Sequence, residues 1–219
     1  MKKKFGVIGI GAFGKALIDE LKELGSSVFA IDKDLNSIRK VSSIVDQSAV
    51  CDSTDYQSLK EIGFEHLDHV IVAIGDIEDS ILTTMVLVEF KIPEITVMVK
   101  SVYHEKVVQK LGATLTISPE KSTGKRIARG LIAKSVVDYF KVDEDFGIYE
   151  FYVREDFEEI TLIELNLRNK YDVSLVLIKR DNETILPKAD STICPKDLIM
   201  VVGTHKKINK FSDVILSKQ

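Results

Sequence analysis

Cysteine is scarce in this chain, with only Cys51 and Cys194 among 219 residues. Two thiols so far apart match no metal-ligand spacing and exclude a small secreted scaffold stapled by disulfides; they read as buried thiols in a reducing, cytoplasmic setting. Long hydrophobic runs are also missing. None approaches the roughly 20 residues that a bilayer-spanning helix needs, so any action at a membrane requires a partner to hold the chain there. The lysines at positions 2–4 precede an apolar stretch, as in a signal peptide. Three glycines interrupt that stretch, Lys15, Asp19 and Glu20 follow it, and no small-residue cleavage site is present. Basic charge is not in excess either. The net charge is −4, from 30 Lys and Arg against 34 Asp and Glu, which argues against a surface built for nucleic acid. Repeats of 20–50 residues and low-complexity tracts are absent as well.

What is present is an ordinary globular balance, 45% hydrophobic and 29% charged, in a length that suits one large or two small domains. Short β-branched runs alternate with helical patterns through the first two-thirds. Strands are expected at residues 5–10, 27–32, 47–52, 69–75, 95–99 and 114–118. Helices are expected at 12–24, from about 34, and at 56–62, 78–90 and 103–111. The run HVIVAIG (69–75) is almost wholly apolar, as a strand covered on both faces should be. This alternation predicts an α/β fold, a Rossmann-like doubly wound parallel sheet, because parallel neighbours need crossover helices. A longer helix is expected at 120–140, with Leu131, Ile132, Val136 and Phe140 as its apolar stripe and Lys121, Lys125, Arg126, Arg129 and Lys134 on its polar side. The acidic KVDEDFG (141–147) marks a boundary. The domains are therefore read as 1–140 and 148–219, the second a small α+β unit. Its strands are expected at 148–154, 173–180 and 197–203, with a hairpin turn at DNET (181–184) and a closing helix at 206–216.

The chemistry concentrates in GIGAFGK (9–15). Gly9, Gly11 and Gly14 form G-x-G-x-x-G between a strand and a helix, the context that the dinucleotide fingerprint requires. Gly9 allows the tight turn, Gly11 lets backbone approach a phosphate, and Gly14 lets helix pack on strand. The loop, from Gly9 through Ala12, Phe13, Gly14 and Lys15, opens a helix whose free N–H groups suit an anion. Asp32 ends the second strand, where its carboxylate accepts both ribose hydroxyls and repels a 2′-phosphate. NAD(H) or an adenosine nucleotide is thus favoured over NADP, although Lys33 beside it weakens that exclusion. Asp52, Ser53 and Thr54 end the third strand and either face the adenine or cap the next helix. Ala73, Ile74 and Gly75 end the fourth, where the glycine either lets backbone pass near phosphate or serves an ordinary turn. A dehydrogenase also needs a proton-transfer group near its nicotinamide. His66, His69 and His104 fall in the first domain. His205, the only histidine of the second, reads as a surface residue, and no catalytic triad or metal cluster stands out.

Taken in order, the glycine loop with Asp32, CDST (51–54), residues 69–89, KLGATLTISPE (110–120) and the small closing domain resemble the RCK family, regulators of potassium conductance, in its stand-alone KtrA/KtrC/TrkA type. The resemblance covers nearly the whole chain. It implies a cytoplasmic, non-enzymatic subunit that is peripheral at the inner face of the membrane, held there by a Ktr- or Trk-type potassium-translocating subunit. It further implies a homodimer assembling into an octameric ring whose shape is set by ATP or ADP, or by NAD(H). Glu120 matches a family acid that helps hold Mg²⁺ or Ca²⁺ between nucleotide-bound subunits; as a plain residue it is a first-turn acid after Pro119. In the C-terminal domain the resemblance implies a cyclic di-AMP site built from Ile163, Asn166, Arg168, Ser174, Leu175 and Pro187, with Arg168 on a phosphate; without a ligand these residues make an ordinary dimer interface. One departure is Ala12, which stands where many relatives carry an arginine that reaches the terminal phosphate, leaving Lys15 as the nearest basic substitute. The alternative reading is an NAD-dependent oxidoreductase or an NAD(H) redox sensor.

Overall fold

The computed structural model describes residues 3–132 and 136–216. The chain divides into two compact units, residues 1–120 and 121–219.

In the first unit, six parallel strands, β1 (Lys4–Ile8), β2 (Ser27–Asp32), β3 (Gln47–Val50), β4 (His69–Val72), β5 (Glu94–Met98) and β6 (Leu115–Ile117), lie in the order β3-β2-β1-β4-β5-β6. The helices between them are α1 (Ala12–Glu23), α2 (Leu35–Arg39), α3 (Tyr56–Glu61), α4 (Ile77–Glu89) and α5 (Val102–Leu111). The apolar strands read as continuous runs because both faces are covered. Val7, Ala30 and Ile71 pack with Ile18 of α1 and Ile38 of α2, while their neighbours Ile8, Ile31 and Val72 pack on the opposite face with Leu59, Leu87 and Val108 of α3, α4 and α5. The strand order reverses between β1 and β4, so the crevice beyond their C-terminal ends is where such a sheet places a ligand.

In the second unit an antiparallel sheet runs β11-β10-β13-β8-β7. Its strands are β7 (Val136–Lys141), β8 (Phe146–Tyr152), β10 (Ser174–Arg180), β11 (Glu183–Ile185) and β13 (Leu198–Thr204). A separate short pair joins β9 (Ile160–Thr161) to β12 (Thr192–Ile193). Helices α7 (Leu162–Leu165), α8 (Leu167–Tyr171) and α9 (His205–Leu216) complete the unit. Phe151, Ile178, Ile193, Ile199 and Phe211 form its core and are fully buried. The DNET turn has Asp181 and Asn182 at φ +49° and +69°, the two left-handed residues of a tight hairpin joining β10 to β11.

The helix expected at 120–140 is corrected. Helix α6 spans Pro119–Ile132, and residues 136–141 are strand β7, paired with β8. The side-chain alternation shows why: Tyr139 is 6% exposed and Phe140 49% exposed, a period of two rather than a helical stripe. Residues 142–145 lie in the turn of this hairpin, where the composition changes. The side chains of Arg129, Leu131, Ile132 and Val136, and Lys134 altogether, lie outside the described residues.

Candidate functional site

The glycine loop sits in the crevice at the strand reversal. Gly9 has φ +90°, and a Cβ there would stand 2.8 Å from the carbonyl oxygen of Ala73, so loop and β4 end meet backbone to backbone. A Cβ on Gly14 would come within 2.0 Å of the Gly9 carbonyl oxygen. Gly14 therefore serves the contact between α1 and β1, while Gly11 faces open space. Helices α2, α3, α4 and α5 begin on capping side chains, Asp34, Asp55, Asp76 and Ser101. Helix α1 begins on Gly11 with no side-chain cap and no acid in its first turn. Its first N–H groups and positive dipole end are left for an anion.

Asp32 is fixed by the loop it serves. The Ile10 N–H donates to Oδ2 (2.7 Å) and the Asp34 N–H to Oδ1 (2.8 Å), leaving each oxygen capacity for one more donor. A cavity of about 240 Å³ opens here, lined by Gly9, Gly11, Asp32, Lys33, Asp52, Ser53, Ala73, Ile74 and Gly75 of the expected set. Ala12, Phe13, Gly14, Lys15 and Thr54 are not among its lining residues. Lys15 instead bonds Asp19 along α1 (2.6 Å). Ser53 lines the cavity, but its hydroxyl is paired with that of Thr83 (2.7 Å). Asp52 accepts from the Thr54 N–H and hydroxyl (2.9 and 2.7 Å), and these bonds hold its carboxyl below the usual range. The cap of the next helix is Asp55 rather than Ser53 or Thr54.

The sequence reading missed Ile8, Cys51, Asp76 and Asp79 in this lining. Asp79 bonds Lys33 across the cavity wall (2.9 Å), which raises the lysine's pKa. The available signal was Asp76, three residues before Asp79, in the position of a helix cap.

In the second unit a larger cavity, about 530 Å³, gathers Ile163, Asn166, Arg168, Ser174, Leu175 and Pro187, the six residues named for the C-terminal site, and adds Lys188. A capping box between Thr161 and Glu164 sets the start of α7. Asn166, at φ +49°, turns the chain from α7 into α8 and so presents Ile163 and Arg168 to the same space. Arg168 is exposed and forms no ion pair among the described residues. Elsewhere in this unit, unread in the sequence, Arg180 clamps the buried Asp197 through two bonds of 2.8 Å and reaches the Thr192 carbonyl (2.9 Å). The carboxylate raises the guanidinium's pKa. His205 is corrected from a surface residue. It is half-buried against Tyr139 and Tyr149, with one ring nitrogen bonded to the Tyr149 hydroxyl and the other to the Glu144 carbonyl oxygen (3.1 Å).

Glu120 is exposed in the first turn of α6. Among the described residues no group of three or more side chains is placed to hold a metal ion, and no helix is long and apolar enough to cross a membrane.

The glycine loop, the acid at the end of β2 and the strand order define a Rossmann-like protein with a small C-terminal domain. Residues 5–119 match the TrkA-N domain and residues 148–216 the TrkA-C domain, and the chain belongs to the RCK family of KtrA/TrkA type. The chain is 38% identical over 218 residues to Ktr system potassium uptake protein C of Bacillus subtilis (strain 168), covering 99% of each. It is 33% identical over 213 residues to that organism's Ktr system potassium uptake protein A, covering 96% of each. Among solved structures, the GsuK channel bound to NAD superposes with a TM-score of 0.68 at 14% identity; all of this chain is covered, but only 40% of the channel chain. That likeness supports the fold.

Proposed function

We propose that this chain is the nucleotide-binding gating subunit of a potassium uptake system, a switch rather than a catalyst. The observation that carries the reading is the uncapped α1 N-terminus set beside a pinned Asp32 in one cavity, in a chain that matches a potassium uptake protein end to end. The ribose hydroxyls bond Asp32, and the phosphates lie over Gly11 on the helix N-terminus. ATP, ADP or NAD(H) then selects a ring conformation by binding it more tightly than its alternative, since a ligand shifts populations only through differential affinity. The nucleotide module lies within 1–140 and the regulatory module within 148–219. The ring is an octamer assembled from homodimers, docked in the cytoplasm on a membrane potassium-translocating subunit of Ktr or Trk type. Mg²⁺ or Ca²⁺ at Glu120 bridges subunits. Cyclic di-AMP occupies the C-terminal cavity, its phosphate on Arg168 and its bases against Ile163, Leu175 and Pro187.

The test is the identity of the copurifying nucleotide, together with oligomer mass and potassium flux from vesicles that carry the membrane subunit. An adenosine phosphate or NAD(H) in an octamer, with flux changing on nucleotide exchange, is expected. A nicotinamide cofactor that turns over with a small substrate would instead identify the oxidoreductase reading.

A further inference from the structure

The cations expected near the phosphates are committed elsewhere or missing. Position 12 is alanine, Lys15 is bonded to Asp19, and Lys33 is bonded to Asp79. The cavity lining carries the carboxylates Asp32, Asp52, Asp76 and Asp79 against that one paired lysine. A polyanion lying there meets net negative charge and needs a counter-charge.

One ammonium is placed to supply it. Lys100 lies two residues beyond β5, at the same end of the sheet as the glycine loop. Its Nζ stands 3.6 Å from the point that a Cβ of Gly75 would occupy. Gly75 and Asp76 line both the 240 Å³ cavity and an adjoining open groove of about 620 Å³, to which Lys100 belongs. The backbone N–H of Lys100 donates to His104 Nδ1 (3.4 Å), which fixes the main chain from which the side chain leaves. Lys100 is exposed and forms no ion pair among the described residues; the acids that share its groove are Asp76, which caps α4, and Glu78.

We infer that Lys100 is the phosphate-binding cation of this site, replacing from the β5 end the charge that the glycine loop lacks at Ala12. The inference rests on the nucleotide reading above. The ligand it takes is a nucleotide whose phosphoanion extends past Gly75, either the terminal phosphate of ADP or ATP or the bridging pyrophosphate of NAD(H). Gly75 has a specific part in this, since a side chain there would stand between the ammonium and the phosphate.

Calorimetry on the full chain with adenosine, AMP, ADP, ATP and NADH tests it, comparing the parent with Lys100→Gln, Lys100→Arg and Lys15→Gln at low and high salt. Loss of a charge-assisted contact predicts roughly tenfold weaker binding of the phosphorylated ligands to Lys100→Gln. Adenosine binding should not change, Lys100→Arg should restore affinity, and the salt dependence should be shallower in Lys100→Gln. A larger loss for ATP than for NADH assigns the terminal phosphate, and an equal or larger loss for NADH assigns the pyrophosphate; both uphold the inference. Unchanged affinity for every phosphorylated ligand overturns it, as does an equal loss for adenosine, or Lys15→Gln matching Lys100→Gln. Lack of binding by the parent chain overturns the nucleotide reading itself, and this inference with it. Because Lys100 is exposed, the variants should melt with the parent.

Discussion

Asp32 and the glycines beside it divide binding from folding within a few residues. On the proposed reading Asp32→Ala removes the shared ribose contact, so affinity for ATP, ADP and NAD(H) should fall alike, by on the order of 1.5–3 kcal/mol or roughly ten- to a hundred-fold in calorimetry. Gly14→Ala forces a methyl group against the Gly9 carbonyl. A backbone shift of this kind costs roughly 1–3 kcal/mol, seen as a lower melting temperature. Gly11→Ala meets nothing within 4 Å in the nucleotide-free chain. It should melt like the parent and, on the proposed reading, lose nucleotide affinity, because its methyl group would occupy the phosphate's approach. The placing of Gly9, Gly11 and Asp32 around one cavity, and the close packing at Gly9 and Gly14, were legible because these residue types stand at a fixed spacing. Asp79 and Lys33 were not legible as a pair, because their bond crosses 46 positions of sequence and depends on how β2 and α4 converge. Arg180 and Asp197 went unread for the same reason, since nothing in a strand or a turn announces a partner that only the folded sheet supplies.

Secondary-structure elements were readable where period and punctuation agreed. Strand β2 was placed at its observed bounds, and α1 began where Gly11 ended the loop. The failure at 120–140 came from apolar residues at 131, 132, 136 and 140 that satisfy a helical period by coincidence. Packing against β8 decides the matter by burying Tyr139 instead. The hydrogen-bonded aspartates at the element ends of the first unit give it a defined acid response. Backbone N–H groups of Asn36 and Thr54 hold Asp34 and Asp52 below the usual carboxylate range, and the Ser58 hydroxyl does the same for Asp55. A carboxyl depressed in the folded state stabilises it above the unfolded pKa of about 4, and loses that contribution as pH falls through the lower folded value. Urea midpoints of the first unit should therefore be flat near neutrality and fall steeply below about pH 4. The double variant Asp34→Ala, Asp55→Ala should shift the neutral plateau down and flatten the acid slope, because Ala cannot cap at either pH.

At the scale of the molecule, each unit has its own core and its own cavity. On the proposed reading, the C-terminal cavity takes a two-fold symmetric ligand between two copies, each offering the same contacts. Titration of the full chain with cyclic di-AMP should give one ligand per two chains. Arg168→Ala should weaken it roughly tenfold or more without dissociating the dimer; one ligand per chain, or no binding at high micromolar concentration, removes the site. The strand order of the first unit also bears on how the chain is made. Synthesis delivers β1 first, then β2 and β3 outward on one side, then β4, β5 and β6 outward on the other. Every new strand thus finds its neighbour already translated and never has to insert between two that are paired. A parallel sheet is slow to form because its pairings are distant in sequence, and its unpaired edges invite aggregation while it waits. Here a nascent chain leaving the ribosome can extend the sheet one crossover at a time, closing the ligand crevice when β4 docks on β1.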